Sequence, residues 1–216
     1  MKIVNLGASD SVMNQFVAQI RDKQFQKDQL RFRHNLERLG EIFAYEISKT
    51  FDYSPKEVVT PLGIANVPTC DNKLVVATIL RAGLPLQNGI LNFFDSAQGA
   101  FLCAYRKYSK SGFKINVDYC TCPSLDDKVL ILADTMLATG ASIEVSYNTL
   151  CLNGEPSHTH LVCPISSKYA VDYLKKAFHG KNVTLWTAAI DEEITSHSYI
   201  VPGLGDAGDL AFGEKL

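Results

Sequence analysis

Residues 129–142 read Val-Leu-Ile-Leu-Ala-Asp-Thr-Met-Leu-Ala-Thr-Gly-Ala-Ser: an apolar run, one acid, then small and hydroxyl residues. These residue types at this spacing can hold a phosphate. A strand that runs into a loop and then a helix leaves backbone N–H groups free at the helix start, where the macrodipole also favours an anion. The hydroxyls of Thr139 and Ser142 can add hydrogen bonds, and Gly140 lets the backbone approach an oxygen closely. Asp134, at the strand end, is an acceptor suited to the hydroxyls of a ribose. An ordinary βα turn with Ser142 as N-cap would account for the serine and leave the rest of the segment unexplained.

Arg81 is the second candidate. It follows the apolar run Leu74–Leu80 directly and precedes Ala82-Gly83. Its charge is permanent and its planar fork matches phosphate oxygens, so at a strand end it reads as an anion clamp. A third segment misleads. Gly203-Leu-Gly-Asp-Ala-Gly208 satisfies the G-x-G-x-x-G dinucleotide fingerprint, yet Pro202 interrupts any preceding strand and only eight residues follow Gly208. The nucleotide-cofactor reading is rejected. The six cysteines offer no zinc spacing, since only Cys120 and Cys122 are close and a single residue separates them. They read as small buried hydrophobes. His158 and His160 would share one side of a strand but lack a third ligand, so no protein-held metal is expected.

The elements that must position these residues follow from periodicity. Ser11–Lys23 and Gln29–Ser48 are helical; in the second, Leu30, Leu36, Leu39, Phe43 and Ile47 recur at helical intervals. Strands are expected at Leu74–Leu80, Ala100–Ala104, Lys128–Leu132, Thr159–Ile165 and Val183–Ala189. Helices are expected at Leu86–Phe94, Ser142–Leu150 and Ser167–Phe178. Short apolar strands alternating with helices predict βαβ units and a parallel sheet buried on both faces. Ligands in such sheets bind beyond the carboxyl ends of the strands, which is where Arg81 and Asp134 fall. Tyr105–Asp118 reads as a β-hairpin with a basic tip carrying Arg106, Lys107, Lys110 and Lys114.

Composition sets the outer bounds. The 216 residues are 46% hydrophobic and 20% charged, ordinary values for one large globular domain. The 21 Lys and Arg against 23 Asp and Glu give a net charge of −2, a poor match for a nonspecific nucleic-acid binder. No apolar run reaches the ~18 residues of a membrane helix, and Met1–Asp10 lacks the apolar stretch of a signal peptide, so the cytoplasm is the expected location.

Several segments together resemble one family. Asp134–Ser142, DTMLATGAS, resembles the phosphoribosyl-pyrophosphate loop of type I phosphoribosyltransferases, and in detail the DPMLATGGS form of the uracil phosphoribosyltransferase family. Ile79–Leu84, ILRAGL, is similar to a second loop of that family, and Tyr199–Asp209 with Phe212-Gly213 to its base-binding tail. Weaker agreement extends through Ala44-Tyr45-Glu46, Phe32-Arg33 and Arg21-Asp22-Lys23.

The resemblance implies an α/β fold of type I phosphoribosyltransferase kind. One domain, 1–216, would comprise a twisted parallel sheet flanked by helices, a helical arm (1–50), a protruding hairpin (105–121) and a base-binding hood (190–216). It implies transfer of phosphoribosyl from 5-phosphoribosyl 1-diphosphate (PRPP) to uracil, giving UMP and diphosphate. Arg81 and Arg106 would hold the diphosphate and share the catalytic role with Asp134. The loop Asp134, Thr135, Met136, Leu137, Ala138, Thr139, Gly140, Ala141 and Ser142 would bind PRPP, and Asp206 would sit where sugar, metal and base meet. Main-chain groups of Ile200, Gly205, Asp206 and Ala207 would read uracil. Mg2+ would be held mainly by substrate oxygens, GTP is a candidate effector, and a homodimer or larger homo-oligomer is expected.

Departures from the family pattern include Thr135 in place of Pro, Ala141 in place of the second glycine, Pro85, Asn88, the basic Lys107 and Lys110, and Leu210. A positive φ at position 141 would make the alanine methyl costly. Two other readings stay open: a phosphoribosyltransferase for a different nucleobase, and an RNA-binding regulator on the same fold that uses the basic hairpin.

Overall fold

A computed structural model describes residues 1–109 and 112–215; between 106 and 114 only backbone pairing is described, so the side chains of Arg106, Lys107, Lys110 and Lys114 lie outside the described residues. The chain opens with an edge strand, β1 (Lys2–Asn5), and the two expected helices, α1 (Val12–Arg21) and α2 (Gln29–Ser48). Each helix starts at a side-chain cap: Ser11 accepts from the Met13 N–H and Asp28 from that of Arg31. In α2 Leu36, Leu39, Phe43 and Ile47 are buried as their spacing requires, together with Phe32, whereas Leu30, read as part of that stripe, lies in the first turn at 58% exposure. A hairpin, β2 (Ser54–Thr60) and β3 (Gly63–Thr69), comes next and stands out in solvent.

The βαβ region holds β4 (Leu74–Leu80), α3 (Leu84–Leu91), β5 (Gln98–Ser109), β6 (Gly112–Thr121), β7 (Val129–Ala133), β8 (Met136–Leu137) and α4 (Ala141–Leu150). It continues with β9 (His158–Val162), β10 (Ile165–Ser167), α5 (Lys168–Ala177), β11 (Val183–Thr187) and β12 (Ala189–Asp191). The tail adds β13 (Glu193–Ile194), β14 (Ile200–Val201) and α6 (Ala207–Phe212).

Seven strands form the main sheet in the order β1-β11-β9-β7-β4-β5-β6, parallel except where β6 returns beside β5. Alternation along each strand divides the core in two. Leu74 and Val76 of β4, with Val129, Ile131 and Ala133 of β7, pack on the side of α1, α2 and the tail. Val75, Ala77 and Ile79, with Leu130 and Leu132, pack on the side of α4 and α5. Covering both faces is why these strands read as unbroken apolar runs.

The structure redraws three expected elements. Thr159–Ile165 and Val183–Ala189 each split in two, since the chain breaks the ladder near Pro164, whose carbonyl accepts from both Ala188 and Ala189. The second halves, β10 and β12, join β8 in a small parallel sheet of order β12-β10-β8, just past the carboxyl ends of β11, β9 and β7. The helix expected from Ser142 begins one residue earlier, at Ala141, with Gly140 at φ +87° as its cap; the alternative of Ser142 as cap does not hold.

Candidate active site

The loop after β7 is pinned before it turns. The Asp134 N–H donates to the Val162 carbonyl at 3.0 Å, and Met136–Leu137 becomes a strand against β10. Ser167, the cap of α5, donates its hydroxyl to the Ala138 carbonyl at 2.6 Å while accepting from the Ala170 N–H. The Asp134 carboxylate turns back on its own loop, accepting from the Thr135 N–H at 2.8 Å and from that of Met136. Burial pushes its pKa up to about 7 against the pull of those two N–H groups, although the residue keeps an edge open to the concavity below. Cys163 lies beside it, fully buried, its thiol pushed well up by the same desolvation.

Asp134, Met136, Leu137, Ala138, Thr139, Gly140 and Ser142 line one concavity of about 60 Å³ at the start of α4. Thr135 faces away from it and is buried, its carbonyl meeting the Ile165 N–H at 3.4 Å. Gly140 is the residue with left-handed φ, and a Cβ there would sit 2.7 Å from Cδ1 of Tyr173. Ala141 takes the first helical position with no positive φ, so its methyl carries no backbone strain. Tyr173 donates to Glu144, tying α5 to the first turn of α4.

Arg81 stands at the carboxyl end of β4, next to β7 in the sheet, and the Leu80–Arg81 peptide is cis. A side chain at Gly83 would place its Cβ 2.2 Å from Oγ1 of Thr78, so the loop can turn here only on a glycine. The guanidinium is engaged with the tail: Nη2 donates to Asp209 at 2.9 Å and Nη1 to the Gly213 carbonyl at 3.2 Å. Tyr105, next to Arg106, donates to Asp118 at 2.7 Å.

In the tail, Asp206 caps α6 by accepting from Gly208 and Asp209, and its other oxygen lies 3.7 Å from Lys215. The side chains of Ile200 and Ala207 are buried in the core. Gly205, at φ +99°, is exposed between them. Sequence reasoning missed the groups that hold the tail down. Arg21 pairs with Asp191, and Arg33 donates to the Ala211 carbonyl at 2.7 Å. The only signal was the weak agreement around Arg21-Asp22-Lys23 and Phe32-Arg33.

His158 and His160 do share a strand face, with ring centres 4.4 Å apart. The Trp186 indole N–H donates to Nδ1 of His160 at 2.9 Å, and burial pushes that histidine down to about 3. Among the described residues no three His, Cys, Asp or Glu side chains gather as a metal site. None of the described helices is long and apolar enough to cross a membrane.

A parallel sheet whose neighbouring strand ends carry an acid with a phosphate-type helix start and an arginine tied to a folded tail has the architecture of the type I phosphoribosyltransferases. A hypoxanthine phosphoribosyltransferase of Staphylococcus aureus shares the fold at TM-score 0.51 and 10% identity, over 75% of this chain and 76% of its own. A solved Aquifex aeolicus protein superposes at TM-score 0.86 with 28% identity over 98% of both chains. In sequence, the family model described as uracil phosphoribosyltransferase matches residues 8–214. A uracil phosphoribosyltransferase of Porphyromonas gingivalis is 52% identical over the whole of both chains. One from Methanothermobacter thermautotrophicus is 38% identical over 86% of this chain and 85% of its own. This chain belongs to the uracil phosphoribosyltransferase family, and so to the glycosyltransferases.

Proposed function

We propose that the chain transfers the phosphoribosyl group of PRPP to uracil, giving UMP and diphosphate, with the residues around the β7 loop and the tail dividing the work. The observation that carries this reading is the placement of Asp134, the α4 start and Arg81 at neighbouring strand ends, with the tail tied to Arg81. Thr139, Gly140, Ala141 and Ser142 receive the 5′-phosphate on hydroxyls and free N–H groups, with Met136, Leu137 and Ala138 shaping the approach and Thr135 supporting from behind. Asp134 takes the ribose hydroxyls. Arg81 and Arg106 meet the diphosphate.

The chemical difficulty is departure of a multiply charged group from the anomeric carbon. The C1′–O bond breaks with its electron pair leaving on diphosphate as the bond to uracil N1 forms, through an oxocarbenium-like state, and the N1 proton passes to the departing diphosphate or to water. Orientation and fixed positive charge at the leaving oxygens supply the rate. Uracil is read by main-chain groups of Ile200, Gly205, Asp206 and Ala207. A cytosine amino group would leave a buried partner unpaired there, which discriminates against it. No side-chain nucleophile is invoked.

Mg2+ would be held mainly by PRPP oxygens, in keeping with the ion's preference for substrate phosphates over an all-protein cage and with the lack of a His, Cys, Asp or Glu cluster among the described residues. When bound with PRPP it neutralises charge on the departing diphosphate. The chain is also proposed to act in the cytoplasm as a homodimer or larger assembly, using the exposed apolar β2–β3 hairpin, where Val59 is 84% and Leu62 100% exposed. Light scattering at micromolar concentration tests the assembly, and a change of turnover on adding GTP tests the effector. A nucleobase panel with PRPP and Mg2+ tests the function: uracil should be consumed, and hypoxanthine and cytosine left.

A further inference from the structure

The turn that follows β14 is gripped by an ion pair from remote parts of the chain. Arg21, the last residue of α1, meets Asp191, the last residue of β12, through two bonds of 2.9 Å. The pair is largely withdrawn from solvent, at 21% and 9% exposure. Both partners also bond Gly203. Nη1 of Arg21 donates to its carbonyl at 3.1 Å, and Oδ2 of Asp191 accepts its N–H at 3.0 Å. Gly203 sits at φ +54° directly after the cis Val201–Pro202 peptide, and a Cβ on it would lie 2.2 Å from the Ile200 carbonyl oxygen.

Other basic contacts to the tail are of a different kind. Arg33 reaches one carbonyl, that of Ala211, and Arg81 reaches the Gly213 carbonyl and the Asp209 side chain. The Arg21–Asp191 pair, by contrast, holds both backbone polar groups of one residue, so it fixes the orientation of that residue as well as its place. The held residue lies between Ile200 and Gly205, whose main chains are the proposed uracil contacts. Recognition by backbone has no rotamer to adjust, so its accuracy depends on where the turn is held.

We propose that Arg21 and Asp191 are positioning residues of the base site, setting the spacing of the Ile200 and Gly205–Ala207 main-chain groups that receive uracil. The proposal rests on the reading of the tail as the uracil site. A buried ion pair adds little net stability over an uncharged one, whereas removing one partner strands a charge. The informative variant is therefore the double replacement Arg21→Ala with Asp191→Asn, which leaves no charge behind.

Steady-state kinetics on the intact chain with PRPP, Mg2+ and uracil, alongside thermal unfolding, read the outcome. The double variant should raise the KM for uracil between about tenfold and a hundredfold, with the KM for PRPP near that of the unaltered protein. A pair that merely braced the fold would move both KM values together or lower the melting temperature alone, and either result overturns the proposal. Should the double variant fail to fold, Arg21→Lys keeps the charge while losing the two-pronged bond, and it must show the same split on a smaller scale. Gly203→Ala separates the two claims. If it raises the uracil KM while the Arg21 and Asp191 variants do not, the clamp is refuted and the tail reading stands; if it too leaves the uracil KM unchanged, the tail reading fails.

Discussion

Replacing Asp134 by Asn removes one ionisable group and should reveal what burying it costs. The carboxyl titrates near pH 7 in the folded protein against an ordinary value of 3.8, because desolvation outweighs two backbone N–H bonds. A raised acid favours the folded state below its unfolded pKa, and that advantage is lost as pH rises from 3.8 through 7. Three pH units at about 1.4 kcal/mol each make the loss roughly 4 kcal/mol by pH 8. Asn retains an acceptor for the Thr135 and Met136 N–H groups but adds an amide that needs a partner, an offset of about 1–3 kcal/mol. The absolute stability gain at pH 8 is therefore modest, while the difference between the two proteins should change by roughly 4 kcal/mol between pH 4 and pH 8. Urea unfolding at pH 4, 6 and 8 measures this directly. The same substitution should lower kcat/KM for PRPP by about tenfold to a hundredfold, the worth of a charged hydrogen bond to the ribose. Parallel stability curves for the two proteins, or full activity in the variant, would refute the reasoning.

Three further outcomes follow from the same geometry. His160 titrates near 3 in the fold and near 6.5 unfolded, so it removes stability as pH falls below 6.5, by about 1.4 kcal/mol per unit; His160→Gln should flatten the acid limb of the stability curve, and an unchanged acid midpoint would count against the assignment. Asp209 occupies Arg81 through a half-exposed pair, 39% and 32% accessible, worth about 0–1 kcal/mol. Asp209→Asn should therefore lower the KM for PRPP by up to about fivefold, whereas a raised KM would mean that Asp209 orients the arginine for the diphosphate. Finally, Ala141→Gly should leave the KM for PRPP within about twofold, because position 141 has ordinary helical backbone, while Gly140→Ala should cost about 1–3 kcal/mol of stability at its left-handed φ; thermal melts and PRPP titrations read both.

The strands β4 and β7 were legible in the sequence because they are covered on both faces and so consist of unbroken apolar residues. The phosphate-type loop was legible for the opposite reason, since small and hydroxyl residues directly after such a strand have little use in packing. The β2–β3 hairpin was not: almost all of its residues are exposed on both faces, so no alternation marks it, and Pro55 and Pro68 argue against a strand. The two- and three-residue strands β8, β10 and β12 are too short to carry a period. The start of α4 falls one residue before the expected Ser142 because a left-handed glycine can begin a helix without a side-chain bond. Arg21 and Asp191 are 170 positions apart, and no local spacing announces that they meet at Gly203. Arg81 was legible as an arginine at a strand end; that it rests on Asp209 and the Gly213 carbonyl is a property of the folded tail alone.

The central claim is that the strand-end site and its tail join phosphoribosyl to uracil. The most direct test is conversion of labelled uracil, with PRPP and Mg2+, followed as UMP and diphosphate in the unaltered protein and in Arg81→Ala and Asp134→Asn. UMP and diphosphate should appear in equal amounts, at a rate sharply reduced in both variants. Absence of UMP from a cooperatively folded unaltered protein would contradict the account, and undiminished turnover in both variants would move the chemistry away from these residues.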